Sequence, residues 1–395
     1  MRRCGERELR DTNELTVAHF DNHNSLVTDR RHQATLSPSL RSIHPEVVWL
    51  WSSQSFQDCW QIAVCDRSND RCPPYEPRAS PTQEPIMINT PTTPTITSFR
   101  AGLRFGPQIA ARVGPGWVDA PYTRFELRPK SPTIGAEVVG IDLTDIDDET
   151  FADLHRALLE WKVLFIRDSG LDPDSHAALG ARWGELEYHP FLSNRPDQPT
   201  VVRFEKSEAA AGYENVWHSD VSWRAVPSLG SLLRAVEVPS TGGDTLWADM
   251  AVAYDCLPDD VKQRVDGLNA VHDWDDTFGA GMTEQARQAL RTDFPPSVHP
   301  VVRTHPETRR KTLYVNAIFT KEIVGLDPVE GDRLLEYLCR QADYPEYQCR
   351  WTWTPGDLAI WDNRATQHYA TSDYHPQRRV MERITVIGDR PYSTS

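Results

Sequence analysis

The chain of 395 residues carries 57 acidic and 42 basic side chains, a net charge of −15 and 39% hydrophobic residues. That is enough apolar residue for one large domain or two ordinary ones, and the acidic balance argues against nucleic acid as the main partner. No apolar run approaches the roughly 18 residues of a membrane span, and the basic start, residues 1–8, leads into no apolar stretch of a secretory signal.

The first 86 residues differ from the rest. They hold ten Arg, twelve Asp or Glu and no lysine, the first lysine being Lys130. Hydrophobic periodicity is missing apart from the patch Val47 to Trp51. Prolines and threonines then punctuate Pro73 to Pro94, as in a linker, and Met87 lies inside that stretch. Residues 1–86 read as a disordered extension or as sequence upstream of the true start, with a small cysteine-containing module as the alternative. Together with the linker they set residues 1–120 apart from a single domain at 121–395. Cys4, Cys59, Cys65 and Cys72 fall in the first part, and Cys256, Cys339 and Cys349 are scattered. Neither set has zinc-pair spacing, so reduced thiols in a cytoplasmic protein are expected.

Patterned sequence begins at Phe125. Phe125 to Pro129 and Ile134 to Leu143 predict strands, and Asp148 to Trp161 has helical spacing with acids in its first turn. Val163 to Ile166 is a buried-strand run, and Pro173 to Trp183 predicts a second helix ended by Gly184. Short apolar runs follow at Ser231 to Val236, Asp244 to Trp247, His299 to Arg303, Thr312 to Val315, Leu358 to Trp361 and Ile384 to Ile387. Helices are predicted at Thr283 to Thr292 and Pro328 to Ala342. Many short strands with a few helices give a mainly β fold, a sandwich or barrel flanked by helices.

Three features carry chemistry. In Trp217-His218-Ser219-Asp220, His218 and Asp220 are two apart, so an extended backbone points both to one side. Two His and one carboxylate on one face of an octahedron leave positions open for reactants. Alone, the pair could equally be a strand-end His and a solvated Asp. In Trp361 to Tyr369, His368 stands where a third ligand could project. Arg379 and Arg383 are four apart, so one strand face can aim both guanidinium groups into one cavity, where they suit carboxylate or sulfonate. The bland alternative is a solvated basic face.

Taken together, the order His-x-Asp, about 150 residues, His, about 11 residues, Arg resembles the Fe(II)/2-oxoglutarate-dependent dioxygenases. The words Pro239 to Trp247, Trp361 to Tyr369 and Asp373 to Arg379 resemble the taurine dioxygenase branch, which includes alkyl-sulfate and 2,4-dichlorophenoxyacetate dioxygenases. The resemblance runs from about Phe125 to Pro391. It implies a double-stranded β-helix, or jelly roll, and a cytoplasmic homo-oligomer, dimer or tetramer. It implies Fe(II) on His218, Asp220 and His368, with 2-oxoglutarate and O2 as cosubstrates, and Arg379 and Thr245 on the far carboxylate of 2-oxoglutarate. Thr245 by itself would read as an ordinary strand threonine.

The resemblance also points to a small anionic organic substrate. Arg383 matches the arginine that binds sulfonate in the taurine enzyme, Phe319 an aromatic wall and His189 an anion contact. Asn215 is a further candidate contact. Phe319 could equally be core packing and His189 a loop histidine. Leu192 stands where the taurine enzyme has tyrosine, and Trp274 where it has phenylalanine. These departures favour a less polar substrate than taurine: an alkyl sulfonate or sulfate ester, or an aryloxyalkanoate or other carboxylate. A jelly roll that binds without catalysis is the reading from another class, and iron-dependent succinate production separates it. Asp220 counts against halogenation, which needs that carboxylate replaced.

Overall fold

The computed structural model of the chain describes residues 110–394 apart from Ala211 and Tyr213. The expectations for residues 1–86, including the four cysteines there, lie outside the described residues. The chain enters through the hairpin β1 (Glu126–Pro129) and β2 (Ala136–Val139). Helix α1 (Asp148–Trp161) starts where the Asp147 side chain accepts from the Thr150 N–H, and it ends at Lys162, whose φ of 62° is left-handed. Strand β3 (Val163–Ile166) follows at once. Helix α2 (Pro173–Ala181) is opened by a reciprocal capping box between Asp172 and Ser175. Then come β4 (Val201–Lys206), β5 (Ser228–Glu237) and β6 (Thr245–Asp249), α3 (Met250–Asp255) and α4 (Asp259–Val265). Next are β7 (Asn269–His272), α5 (Asp275–Phe278), α6 (Glu284–Asp293), β8 (Ser297–Pro300), β9 (Val302–Thr304), β10 (Lys311–Leu313) and β11 (Thr320–Ile323). Helix α7 (Pro328–Cys339), β12 (Gln348–Trp351), β13 (Leu358–Asp362), β14 (Thr366–Ala370) and β15 (Arg379–Ile387) complete the order.

The large sheet has the order β1-β2-β3-β13-β5-β15-β4, antiparallel except between β2 and β3. A second sheet, β12-β6-β14, faces it, and β11-β7-β8 and β9-β10 extend the wall. This is a jelly roll with flanking helices. The two faces of the large sheet follow from the period of two. On β13, Leu358 and Ile360 meet Leu154 and Leu158 of α1, whereas Ala359 and Trp361 point into the sandwich. Inside, Phe165 stacks on Trp351 with ring centres 4.3 Å apart, and Trp247 packs edge-on against Trp361 at 5.8 Å. These aromatic pairs join sheet to sheet.

On β15 the same alternation divides function from support. Arg379, Met381 and Arg383 face the inside. Glu382 faces the other way, fully buried, where Arg195, Arg203 and Arg234 bond its two oxygens at 2.6, 3.0 and 2.5 Å. A buried carboxylate needs such partners. The predicted strand at His299 to Arg303 is two strands, broken at Val301. The predicted helix at Pro328 to Ala342 ends at Cys339 and runs on as a 3-10 turn, Arg340–Asp343.

Candidate active site

His218 lies outside any strand, but it pairs with His368 of β14 across an isolated bridge. The two residues exchange both backbone hydrogen bonds, at 3.1 and 2.8 Å, so their side chains leave on the same face. Their ring centres are 4.1 Å apart. Asp220, two residues on, returns to that face, and its Oδ1 is 3.9 Å from the Nε2 of each histidine. One ligand atom from each residue falls within 4.8 Å of the others. The His218 Nδ1–H donates to the Val216 carbonyl at 2.9 Å, which leaves the Nε2 lone pair aimed at the common centre. Burial lowers the pKa of His218, and that of His368 to about 3, so both imidazoles are neutral and free to donate electron pairs.

Asp220 is held from every side. Its backbone N–H donates to Asn363 Oδ1 at 2.8 Å, and Asn363 Nδ2 donates back to its carbonyl at 2.9 Å. Ser231 Oγ donates to Oδ2 at 3.0 Å and Arg383 Nη1 to Oδ1 at 2.7 Å. Burial raises the Asp220 pKa, but the charge of Arg383, with the Ser231 hydrogen bond, outweighs it and keeps the carboxyl ionised. The chain then turns away through Val221, a β-branched residue at φ 44°. Such a backbone costs energy and persists only where its surroundings enforce it. Two neutral imidazoles and one carboxylate are the donor set for a divalent transition metal with open positions.

A second group of donors stands beside this one. Thr245, at the start of β6, pairs with Ala370 two residues past His368. Its Oγ1 accepts from Trp353 Nε1 at 3.0 Å, so its own hydroxyl hydrogen is left to donate. Arg379 is buried, and its Nε and Nη2 have no partner. Unpartnered buried donors of this kind call for an anion. The glycines of Gly242-Gly243-Asp244-Thr245 have a steric reason. Both sit at positive φ, and a Cβ on Gly243 would stand 3.1 Å from Arg379 Cδ.

One cavity of about 370 Å3 joins these groups. His218, Asp220, His368, Thr245, Arg379 and Arg383 all line it, as do His189 and Phe319. The Phe319 ring lies edge-on to His218 at 6.4 Å. His189 is buried, and its Nδ1 accepts from the Phe191 N–H at 3.2 Å. Burial, then the charge of Arg383, lowers its pKa to about 3. Asn215, by contrast, is exposed and stands off the wall. Leu192 lines the cavity, whereas Trp274 is buried behind it and donates to the Phe294 carbonyl at 2.7 Å. Sequence reasoning missed Trp353 and Phe278 outright, and Ser231 stood only as the first residue of a strand run. Asn363 lay inside a quoted word without being singled out.

Comparison with known proteins bears on this geometry. The family described as "Taurine catabolism dioxygenase TauD, TfdA family" matches residues 126–385. The chain belongs to this family. It is 35% identical to an alkylsulfatase of Acinetobacter baylyi over 69% of this chain and 88% of that protein. It is also 35% identical to the (S)-phenoxypropionate/alpha-ketoglutarate-dioxygenase of Sphingobium herbicidovorans, over 69% and 98% of the two chains. Among solved structures, a taurine dioxygenase from Burkholderia xenovorans is similar, with 37% identity, a TM-score of 0.60 and coverage of 69% of this chain and 92% of that one. The chain is an Fe(II)/2-oxoglutarate-dependent dioxygenase with O2 as the other cosubstrate. No helix among the described residues is long and apolar enough to cross a membrane.

Proposed function

We propose that the protein holds Fe(II) on His218, Asp220 and His368, anchors the far carboxylate of 2-oxoglutarate on Arg379 and Thr245, and oxidises a small anionic organic substrate held by Arg383. The preferred class is an alkyl sulfonate or sulfate ester, hydroxylated on the carbon beside the anionic group. The product then breaks down to sulfite or sulfate and an aldehyde. None of the three described cysteines is in a disulfide, in keeping with a cytoplasmic setting. The observation that carries the reading is the pair of buried arginines, Arg379 and Arg383, on one face of β15 and on the wall shared with the three ligand residues.

When bound, the iron supplies oxidative decarboxylation of 2-oxoglutarate to succinate and CO2, coupled to oxidation of a substrate C–H bond. The rest falls to this chain's own residues. Val216 fixes the tautomer of His218, and Asn363 fixes the backbone of Asp220. Arg379 and the Thr245 hydroxyl fix one anion and Arg383 the other, so two negatively charged molecules meet in one geometry. Phe319 and neutral His189 give the substrate a dry wall. Asn215 takes no part. An aryloxyalkanoate is the second reading, favoured by the aromatic rings of Phe278 and Phe319 on the wall.

The test is a substrate screen with taurine, C4 to C8 alkanesulfonates, alkyl sulfates and phenoxyacetates, reading succinate together with sulfite, sulfate or phenol. Replacing His218, Asp220 or His368 with Ala should abolish iron-dependent turnover. Arg379→Ala should raise the 2-oxoglutarate requirement about 30-fold or more, since removing one partner of a buried charge pair costs about 2–5 kcal/mol. Parental turnover in Asp220→Ala would disprove the ligand assignment. A best substrate that is neutral or cationic would disprove the anion pocket and leave the iron reading standing.

A further inference from the structure

One wall of the cavity belongs to a segment that holds neither the metal ligands nor the anion anchors. After β7 the chain makes an excursion through α5 and α6 before it returns as β8. Helix α5 is only four residues long, yet it is firmly tied. Asp275 pairs with Arg287 and Arg291 of α6 at 3.1 and 2.7 Å, and Asp273 pairs with Arg291 at 3.0 Å. This brace sets Phe278 on the wall. Its ring stacks on Phe191 at 4.8 Å and lies 6.2 Å from Phe319, the ring beside His218. It also meets His189 edge-on at 5.9 Å. Phe278 thus spans from the ring next to the metal ligands to the imidazole that feels the charge of Arg383.

The charges on the wall add a second observation. Its three carboxylates are Glu205, Glu214 and Asp220. Each has a cation already: Arg378 at 2.8 Å, Lys206 at 2.7 Å and Arg383 at 2.7 Å. Each of these charges is already balanced, so none is left over to favour a substrate ammonium. Leu192, Phe204 and Ile318 add apolar surface to this wall, and Ile318 packs in the same cluster as Phe278.

We infer that Phe278 is a specificity-determining residue that gauges the organic body of the substrate, and that this body is uncharged and apolar. The inference rests on Arg383 as the anion anchor. With the anion fixed there and its neighbouring carbon at the metal, the rest of the molecule must run along the wall. Each methylene buried there lowers KM about fourfold, until the chain meets Phe278 and overpacking reverses the trend. The body is thereby measured by how far it reaches before that ring.

The experiment compares kcat/KM for octyl sulfate and butyl sulfate in the parent, Phe278→Ala and Phe278→Trp. The octyl-to-butyl ratio should rise at least tenfold in Phe278→Ala and fall at least tenfold in Phe278→Trp. Opposite directions cannot come from general loss of structure. Phe278→Leu, the mildest change, should fall between parent and Ala and carries the test if either extreme fails to fold. An unchanged ratio, or the same direction in both variants, overturns the role of Phe278 while leaving Arg383 in place. Taurine outperforming butanesulfonate in the parent overturns the uncharged body. A parent that prefers neutral or cationic substrates removes the anchor, and the inference with it.

Discussion

Asp220 shows how much one residue can be asked to do. It is 4% exposed and ionised, and its Oδ1 faces both imidazoles while accepting from Arg383. A guanidinium and a divalent cation are therefore drawn to the same oxygen. Before metal binds, Arg383 is the chief counterion of the site, with Ser231 on the other oxygen. Removing one partner of a buried pair strands the other, at about 3–5 kcal/mol. Arg383→Met keeps an unbranched apolar stem and loses the guanidinium charge. In EDTA it should therefore melt on the order of 6–10 °C below the parent. Mn(II) returns a positive charge to Asp220 and should recover most of that loss. Equal melting points in EDTA would show that Arg383 does not support Asp220. The variant should also raise substrate KM, so the melts isolate the role that kinetics would hide.

At the scale of elements, the ligands are carried by strand pairings more than by their own local sequence. Asn363, in the turn between β13 and β14, links that turn to the Asp220 backbone and to Ser228 Oγ at 2.9 Å. Asn363→Ala should leave the ligand side chains present but loosely aimed, and Mn(II) affinity measured by calorimetry should fall about 10–100-fold. Unchanged affinity would mean that the His218–His368 bridge, with Ser231 and Arg383, aims Asp220 without Asn363. The same contrast explains what was legible in the sequence. The runs at Val163 to Ile166 and Leu358 to Trp361 announced their strands because both faces are apolar and buried. β14 did not, because Thr366, Gln367 and His368 are buried polar residues whose partners are far away, such as Val315 for Gln367 at 2.8 Å. The pairs His218 with Asp220 and Arg379 with Arg383 were readable because spacings of two and four are local to an extended backbone, while His368 joined them only through the family resemblance. The roles of Ser231, Trp353 and Phe278 were not readable, since each reaches the site through pairings and loop excursions that no sequence window contains. Asn215 was a candidate through the family resemblance alone, and it is exposed and outside the cavity wall.

The whole molecule poses the question of how much chain the enzyme needs. The family match begins at residue 126, but the described chain before it is not idle. Lys162 is 4% exposed; it pairs with Asp249 at 3.0 Å and donates to the Thr133 carbonyl at 3.0 Å and to the carbonyl of Arg112. Arg310 Nη1 donates to that same carbonyl at 2.8 Å, and the Arg112 side chain pairs with Glu160 at 2.8 Å. Residues near 112 thus satisfy a buried ammonium at the end of α1. A chain starting at Met87 keeps all of these contacts and all of the site. It should melt with the full-length protein and match its 2-oxoglutarate turnover. A chain starting at Pro121 keeps every site residue but takes a carbonyl away from buried Lys162, at about 1–3 kcal/mol. It should remain active at low temperature and melt several degrees lower. Thermal unfolding and succinate release on the three chains decide the matter. Lost activity in the Met87 chain would give residues 1–86 a functional role. Equal melting of the Pro121 chain would show that Lys162 finds another partner once Arg112 is gone.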